Sequence, residues 1–389
     1  MKKALALILA LVMIFALCAC GQSAPAAAPA EKPAAAPADS SAAAPADSSG
    51  GAPDFTGRSL VFGVWGGTFA DACMKAYVEP FNAMTGANVT IEEYGTDVTV
   101  KVIAQKEQGE DGYDVICGCG VLDQMAMMAE KDALMKLDYS QLPNSEFMED
   151  GKYEYCVGQY IISQIIAWNK DVYGDNPPDT MAKYFDVKNY PGNRGECYFS
   201  PTGHYEMILL ANGVSPDDLY PVDVERAKQL IDESGYYDSV KVWWDAGATI
   251  RQALADGEVD CGVFWGGSVV EGIVSDGLTN IGLSHDCGSL ITDCMAITAT
   301  CQDPELAHAF VNYCLSAEAE AKWAELKFYA PTNPQAYDLI DPELAQYFTT
   351  YGDNGKTAFW CDVDYWTVNF EHLADEWLFW VASGKWPSA

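Results

Sequence analysis

The chain has 389 residues, with 56 Asp and Glu against 22 Lys and Arg, a formal net charge of −34 at pH 7. Such an acidic balance repels nucleic acid and anionic lipid and attracts cations at long range, which argues against a DNA- or RNA-binding role. From Phe55 onward the chain is too long for a single hydrophobic core, so two lobes are expected.

Lys2 and Lys3 form a positive n-region, and residues 4–16 an apolar h-region too short to span a bilayer as a mature helix. Leu17-Cys18-Ala19-Cys20-Gly21 follows. It resembles a bacterial lipobox, which implies a signal peptide over 1–19 and lipidation of Cys20. Loss of Lys2 and Lys3 then takes the net charge from −34 to −36. Residues 20–54 read as the lipidated Cys and a tether of Ala, Pro, Ser and Asp, in which AAAPADSS occurs at 34–41 and again at 42–49. With almost no large apolar side chain, the tether cannot offset its ordering entropy and is expected to be disordered. It would reach roughly 30 Å as a coil and roughly 100 Å as extended polyproline.

Residues 59–64 read as a first strand ending in Trp65-Gly66-Gly67-Thr68, with a helix over 69–85 that Gly86 stops. A strand over 89–94, a helix over 97–106, a strand over 113–117 ending in Gly118-Cys119-Gly120, and a Met-rich helix to Glu130 continue the alternation. This predicts a parallel sheet with helices on both faces and ligands beyond the carboxyl ends of its strands. The first Gly-rich turn lacks the full G-x-G-x-x-G pattern and the chain has no Walker lysine, so no nucleotide or other cofactor is expected.

Residues 155–168 are apolar and β-like. A strand over 197–199 leads into Ser200-Pro201-Thr202-Gly203-His204, read as a helix start with Ser200 as N-cap and Pro201 in the first position. Free N–H groups at 202 and 203, with the His204 ring, would suit an anionic or polar group. A helix over 223–235, a strand over 240–244 and a helix over 248–256 precede the stretch from Gly257 to Thr298. There an apolar strand ends in Trp265, Gly266-Gly267 read as a turn, and a short helix and second strand lead to Asp293, which opens the apolar run 294–297. An aromatic ring and a carboxylate at the ends of neighbouring strands suit a small cation, through cation–π attraction and a charge-assisted hydrogen bond. Helices over 304–315 and 317–325 follow, then Tyr329-Ala330-Pro331-Thr332-Asn333, Trp360-Cys361-Asp362-Val363-Asp364 and an aromatic amphipathic helix over 368–382.

Of the 13 cysteines, Cys18 and Cys20 belong to the leader and lipobox, leaving an odd number in the body, mostly within apolar patterns. A free-thiol protein is expected, with Cys acting as a small hydrophobe. Cys117-Gly118-Cys119 has no second pair at zinc-finger spacing, so no metal site is expected. None of His204, His285, His308 and His372 stands in a nucleophile elbow or another catalytic frame, so no catalytic residue is assigned.

Phe264-Trp265-Gly266-Gly267-Ser268, followed about 28 residues later by Asp293-Cys294-Met295-Ala296-Ile297, resembles the solute-binding proteins of ABC importers, in particular the spermidine/putrescine-binding family. The resemblance runs from Leu60 to about Trp377. It implies an α/β, two-lobed periplasmic-binding-protein-like fold of type II, each lobe a sheet flanked by helices with the ligand cleft between them. Lobe 1 would comprise 55–163 and 288–337, and lobe 2 would comprise 164–287 and 338–389, with crossings near Ser163, Cys287 and Tyr337. Trp65, Trp265 and Tyr329, the last in the family's Tyr-x-Pro-Thr motif, would enclose the ligand's amine, and Asp293 would bind it. Thr68 stands where the family has a Tyr, Gly118-Cys119-Gly120 where it has a Ser and a Tyr, and Asp362 lies in a block whose polar residue contacts ligand. At the lobe-2 helix start, where family members carry an Asp and a Glu, this chain has Ser200 and Gly203. Those losses favour a ligand with one amine and one anionic or polar end, the latter met by Ser200, Thr202 and His204.

The function implied is that of a monomeric receptor, lipid-anchored at the bacterial cell membrane, that delivers a polyamine-like or zwitterionic amine to a permease. Another small solute (amino acid-like, phosphonate, or ferric ion held by Tyr236-Tyr237) is the alternative within the fold. A secreted hydrolase is the alternative of another class.

Overall fold

The computed structural model describes residues 53–387. The leader, Cys20 and the tether up to residue 52 lie outside the described residues. Nine strands form one sheet: β1 (Ser59–Trp65), β2 (Asn88–Tyr94), β3 (Val115–Gly120), β4 (Val157–Asn169), β5 (Arg194–Cys197), β6 (Val240–Trp244), β7 (Cys261–Trp265), β8 (Ile281–Ile297) and β9 (Phe359–Trp360). Their order is β2-β1-β3-β8-β4-β7-β5-β6, with β9 beside β8. The strands β1, β2 and β3 are mutually parallel, and so are β5, β6 and β7. Such groups follow from strand–helix alternation, because a parallel neighbour requires a crossover.

Between the two groups run β4 and β8, antiparallel to each other and to their outer neighbours β7 and β3. With 13 and 17 residues, they are long enough to serve both groups. Two lobes, one around β1–β3 and one around β5–β7, therefore share a two-stranded spine. Residues 338–360, expected to join the second lobe, pack at this spine instead. Ile340, Ala345 and Phe348 cluster with Ala321 and Ala324 of the first-lobe helix Ala317–Lys327 and with Val270 of the second-lobe helix Gly266–Val274.

Local differences from the expected elements have identifiable causes. Gly118-Cys119-Gly120 does not form a turn but continues β3 through a bulge, with Gly118 at φ 73°. Gly266-Gly267 is no turn either, because the helix Gly266–Val274 starts directly after Trp265. The helix after Ser200 starts later than expected, at His204, with Gly203 as N-cap at φ 85°. Asp293 lies within the continuous strand β8 rather than opening one. The C-terminal helix begins at Val363, capped by the Asp362 side chain, which accepts the Tyr365 N–H at 2.8 Å.

The eleven body cysteines are free thiols, ten of them buried. No helix among the described residues is long and apolar enough to cross a membrane.

One buried carboxylate ties the fold to the cleft. Glu320, 1% exposed, accepts the Thr332 hydroxyl at 2.6 Å and the Asn333 N–H at 2.8 Å, which pins the loop that carries Tyr329. Burial pushes its carboxyl from 4.5 up to about 8, against the opposing pull of those donors. A value raised in the folded state means that the group's contribution to stability is full below about 4.5 and is lost as pH rises through about 8. Stability should therefore fall across that window, by at most on the order of 1.4 kcal/mol per pH unit from this group. Urea melts at several pH values should show a flatter profile for Glu320→Gln than for the wild type. Parallel profiles would mean that Glu320 ionises freely.

Candidate ligand-binding site

A cavity of about 530 Å³ opens at the junction of the two lobes. Its walls follow from strand register. Asp293 on β8 pairs with Tyr160 on β4 and with Gly120 on β3, which places it at the inner edge of the first lobe. Gln164, four residues along β4, pairs with Ser289 on β8 and with Trp265 on β7, at the inner edge of the second. Because side chains alternate along a strand, residues four apart share a face. Asp293, Gln164 and Ser289 all line the same space, with Tyr160 buried behind Asp293.

The first-lobe wall is acidic. Asp293 accepts the Tyr160 hydroxyl at 2.6 Å, and its remaining open side faces the cavity. Burial pushes its carboxyl up to about 6; the Tyr160 hydrogen bond opposes this and the nearby Asp123 adds to it. Asp123, in the π-helical turn Val121–Met125, also lines the cavity, and burial raises its carboxyl too. Among the described residues that line the cavity, none is Lys, Arg or His.

Aromatic rings hold the sides. The Trp65 indole N–H donates to the Gly118 carbonyl at 2.6 Å, and its ring meets Tyr94 edge-on at 5.2 Å. Only glycine fits beneath it: a Cβ on Gly118 would lie 3.0 Å from Trp65 and 2.6 Å from Phe69. Tyr329 stacks on Tyr160 at 4.8 Å, and Tyr160 on Trp323 at 5.4 Å. A Cβ on Gly267 would come within 2.6 Å of the Tyr329 ring, so this glycine makes room for the stack. Trp265 lies edge-on to the buried Trp244 at 4.9 Å.

The second-lobe wall is polar but uncharged. Ser289 donates to Gln164 Oε1 at 3.0 Å, and Ser200 Oγ accepts the Thr202 N–H at 3.2 Å. Thr202 Oγ1 is buried without a partner.

A cleft between two α/β lobes, lined by rings and one or two carboxylates, suits capture rather than turnover. The model for "Bacterial extracellular solute-binding protein" matches residues 76–365. The chain belongs to this family. It is 24% identical to the gamma-aminobutyric acid-binding protein of Pseudomonas aeruginosa, over 84% of this chain and 91% of the relative. Identity to the spermidine/putrescine-binding periplasmic protein of Escherichia coli is also 24%, over 71% of this chain and 79% of the relative. Among solved structures, the Atu4243-GABA receptor superposes with a TM-score of 0.75 at 28% identity, covering 85% of this chain and all of that one. The AgtB binding protein of A. tumefaciens R10, in complex with agropinic acid, gives 0.67 at 29% identity over 84% of this chain and all of that one. These relatives are solute-binding proteins of ABC transporters, not enzymes, and the family is extracytoplasmic and delivers small ligands to permease subunits.

Within this solute-binding fold the expected site residues divide. Trp65, Ser200, Thr202, Trp265, Asp293 and Tyr329 line the cavity. Thr68 does not: it opens the short helix Thr68–Cys73 on the exposed rim. Cys119 points into the first-lobe core, its sulfur 3.3 Å from the Tyr94 hydroxyl, because the bulge at Gly118 turns it from the cleft. The His204 ring lies against the Glu196 carboxylate, 5.5 Å from Trp377, inside the second-lobe core. Asp362 caps the C-terminal helix and stays outside. Tyr236 is buried too, bonded to Glu196 and to the Tyr184 hydroxyl, so the tyrosine pair is unavailable to a metal ion in the cavity.

The polar lining residues Asp123, Gln164 and Ser289, and Tyr160 behind Asp293, are not among the residues expected from sequence. Gln164 had a visible signal, being a polar residue inside the apolar run from Tyr160 to Trp168. Asp123 had a weaker one, an acid in a Met-rich segment.

Gly203 shows how closely the neutral wall is packed. A Cβ there would lie 2.6 Å from Ser289 Oγ and 2.7 Å from Gln164 Oε1, whereas Gly213, with nearly the same φ (84° against 85°), has nothing within 4 Å. Gly203→Ala should destabilise more than Gly213→Ala by about 1–3 kcal/mol, the usual range for overpacking. Chemical denaturation of both variants measures it, and equal losses would mean that the wall yields freely.

Proposed function

We propose that this chain is a receptor of an ABC importer that captures a small organic amine between its lobes. The observation that carries the reading is a buried carboxylate without a base. Asp293 faces a cavity walled by Trp65, Trp265 and Tyr329, and no lining side chain among the described residues is cationic. An alkylammonium ligand supplies the missing counter-charge and lays its carbon chain against the rings, where cation–π attraction adds about 0.5–2 kcal/mol. The gamma-aminobutyric acid- and spermidine/putrescine-binding relatives support an amine, since both of the ligands they are named for carry one.

Closure would bend the spine where it crosses between lobes, near Ser163 and Cys287, with the segment around Tyr337 following, and the permease would read the closed shape. Lipidation at Cys20 would hold the receptor at the membrane through its tether, as a monomer. Cys20→Ala should then move the protein into the soluble fraction of lysed cells. Equal membrane retention of the variant would refute the anchor while leaving the receptor untouched.

Calorimetry with an amine ligand tests the site. Asp293→Asn should weaken binding by well over tenfold, since truncating one partner of a desolvated charge pair costs about 2–5 kcal/mol. The pH dependence has a definite sign. Capture of a cation needs Asp293 ionised, and burial holds its carboxyl up to about 6. Affinity should be flat above that value and fall roughly tenfold per unit below it, and Asp293→Asn should lose this dependence. Unchanged affinity in Asp293→Asn, or a cavity that prefers a neutral sugar or a polyanion, would overturn the amine reading.

A further inference from the structure

We propose that Asp123 and Asp293 together clamp a single cationic head, and that the ligand's far end is uncharged and hydrogen-bonding, such as an amide or a hydroxyl. The inference rests on the amine reading above and narrows it.

Both carboxylates stand on one wall. Gly120 pairs directly with Asp293 across β3 and β8. A Cβ on Gly120 would lie 2.5 Å from Asp123 Oδ1, so the Asp123 carboxylate leans back over Gly120, beside Asp293. Its Oδ1 accepts the Gln124 N–H at 2.6 Å, and its charge adds to the negative potential at Asp293. One ammonium or guanidinium between them would meet both, through charge-assisted bonds.

The opposite wall carries no such charge. Gln164, Ser200, Thr202 and Ser289 line it, and none of them is charged. The room that a side chain at Gly203 would need is occupied by Ser289 Oγ and Gln164 Oε1. Because Ser289 already donates to Gln164 Oε1, the Gln164 amide N–H groups are what this pair has to offer. Thr202, 8% exposed, adds a buried hydroxyl with no partner in the protein. A buried hydroxyl left unmade is costly, so it points to a ligand atom that completes it.

The two walls are separated by four residues of strand, from Tyr160 to Gln164, or roughly 13 Å. A four-carbon amine with an amide at its far end spans that distance with its terminal hydrogen bonds. A carboxylate at the far end would find no cation, and a second ammonium would find no carboxylate. Each would be a desolvated charge without a partner, which selects against it.

Three probes built on a four-carbon chain separate the cases: N-acetylputrescine, putrescine and gamma-aminobutyric acid. Titration calorimetry on the mature chain should give N-acetylputrescine at least tenfold tighter binding than either of the others. Asp123→Asn should weaken N-acetylputrescine by tenfold or more, and Thr202→Val should weaken it more than it weakens n-butylamine, which has no far-end group. If gamma-aminobutyric acid or putrescine binds tightest, or if Asp123→Asn binds as the wild type does, the clamp is wrong and the amine reading survives. If none of the amines binds, the amine reading fails and the clamp fails with it. The order among the three probes is read on the wild type, so it stands even if a variant does not fold.

Discussion

Everything in the cleft depends on the pairing of β4 with β8. The ladder is irregular on both sides of the stretch that matters, with register shifts at Gly158/Tyr160 and at Gln164/Ile166. Between them it runs regularly, and over that run Tyr160 faces Asp293 while Gln164 faces Ser289. A slip of one residue would turn both pairs to the opposite face. The residues between, Ile161 and Ile162 with Ser163 on one strand and Leu290 and Ile291 with Thr292 on the other, leave few alternative registers that bury as much. The same two strands join the lobes, so the element that sets the chemistry of the cavity is also the element that connects its two walls.

Close approach at the walls depends on missing side chains. Gly118 lies under the Trp65 indole, Gly267 beside the Tyr329 ring, and Gly266 against the Ser163 hydroxyl, where a Cβ would come within 2.4 Å. Each lets a backbone lie where a side chain would otherwise push a ring or a hydroxyl out of place. The result is a chain of stacked rings, Tyr329–Tyr160–Trp323–Tyr77, that runs from the cavity wall into the first-lobe core with centroid spacings of 4.8, 5.4 and 5.4 Å. Such packing restricts the Tyr160 ring, and the fixed hydroxyl in turn orients Asp293.

Much of this is legible in the sequence. Strand–helix alternation over 59–130 points to the first parallel group, and the blocks around Trp65, Trp265, Asp293 and Tyr329 point to residues that do line one cavity. What could not be read was register and the exact starts of elements. Ser200-Pro201 has good capping chemistry, yet the helix waits for His204, because Gly203 at φ 85° must fit against Ser289 and Gln164. That shift by one turn carries His204 from the cleft to Glu196. Asp362 sits in a matching block, but its own capping bond to Tyr365 claims it. Cys119 follows from a bulge that no apolar pattern announces. Gln164 and Ser289 meet only because residues 125 apart in sequence pair, a non-local contact that local periodicity does not contain.

Among the described residues, the buried acids Glu196, Glu206 and Glu320 differ from the half-buried Asp123 and Asp293 in how they are paired. Glu320 is fed by Thr332 and Asn333, Glu196 by Tyr236, and Glu206 by Tyr220 and Trp366 at 2.7 and 2.6 Å. Their donors come from distant parts of one lobe or its covering helix, so these carboxylates act as internal fasteners. None of the three lines the cavity. Asp293 has one strong donor, Tyr160, and Asp123 has its neighbour's backbone N–H, and both keep an open side toward the cleft. A carboxylate removed from water and left incompletely paired costs stability unless something arrives to complete it. Hydrophobic or hydrogen-bonding residues would make a more stable wall in the absence of ligand. Two such acids stand side by side, with neutral groups opposite and no base among the described residues that line the cavity, so their charge is unbalanced within the protein. The net charge of −34 has the sign that attracts cations at long range, the same sign as the two acids at the cleft.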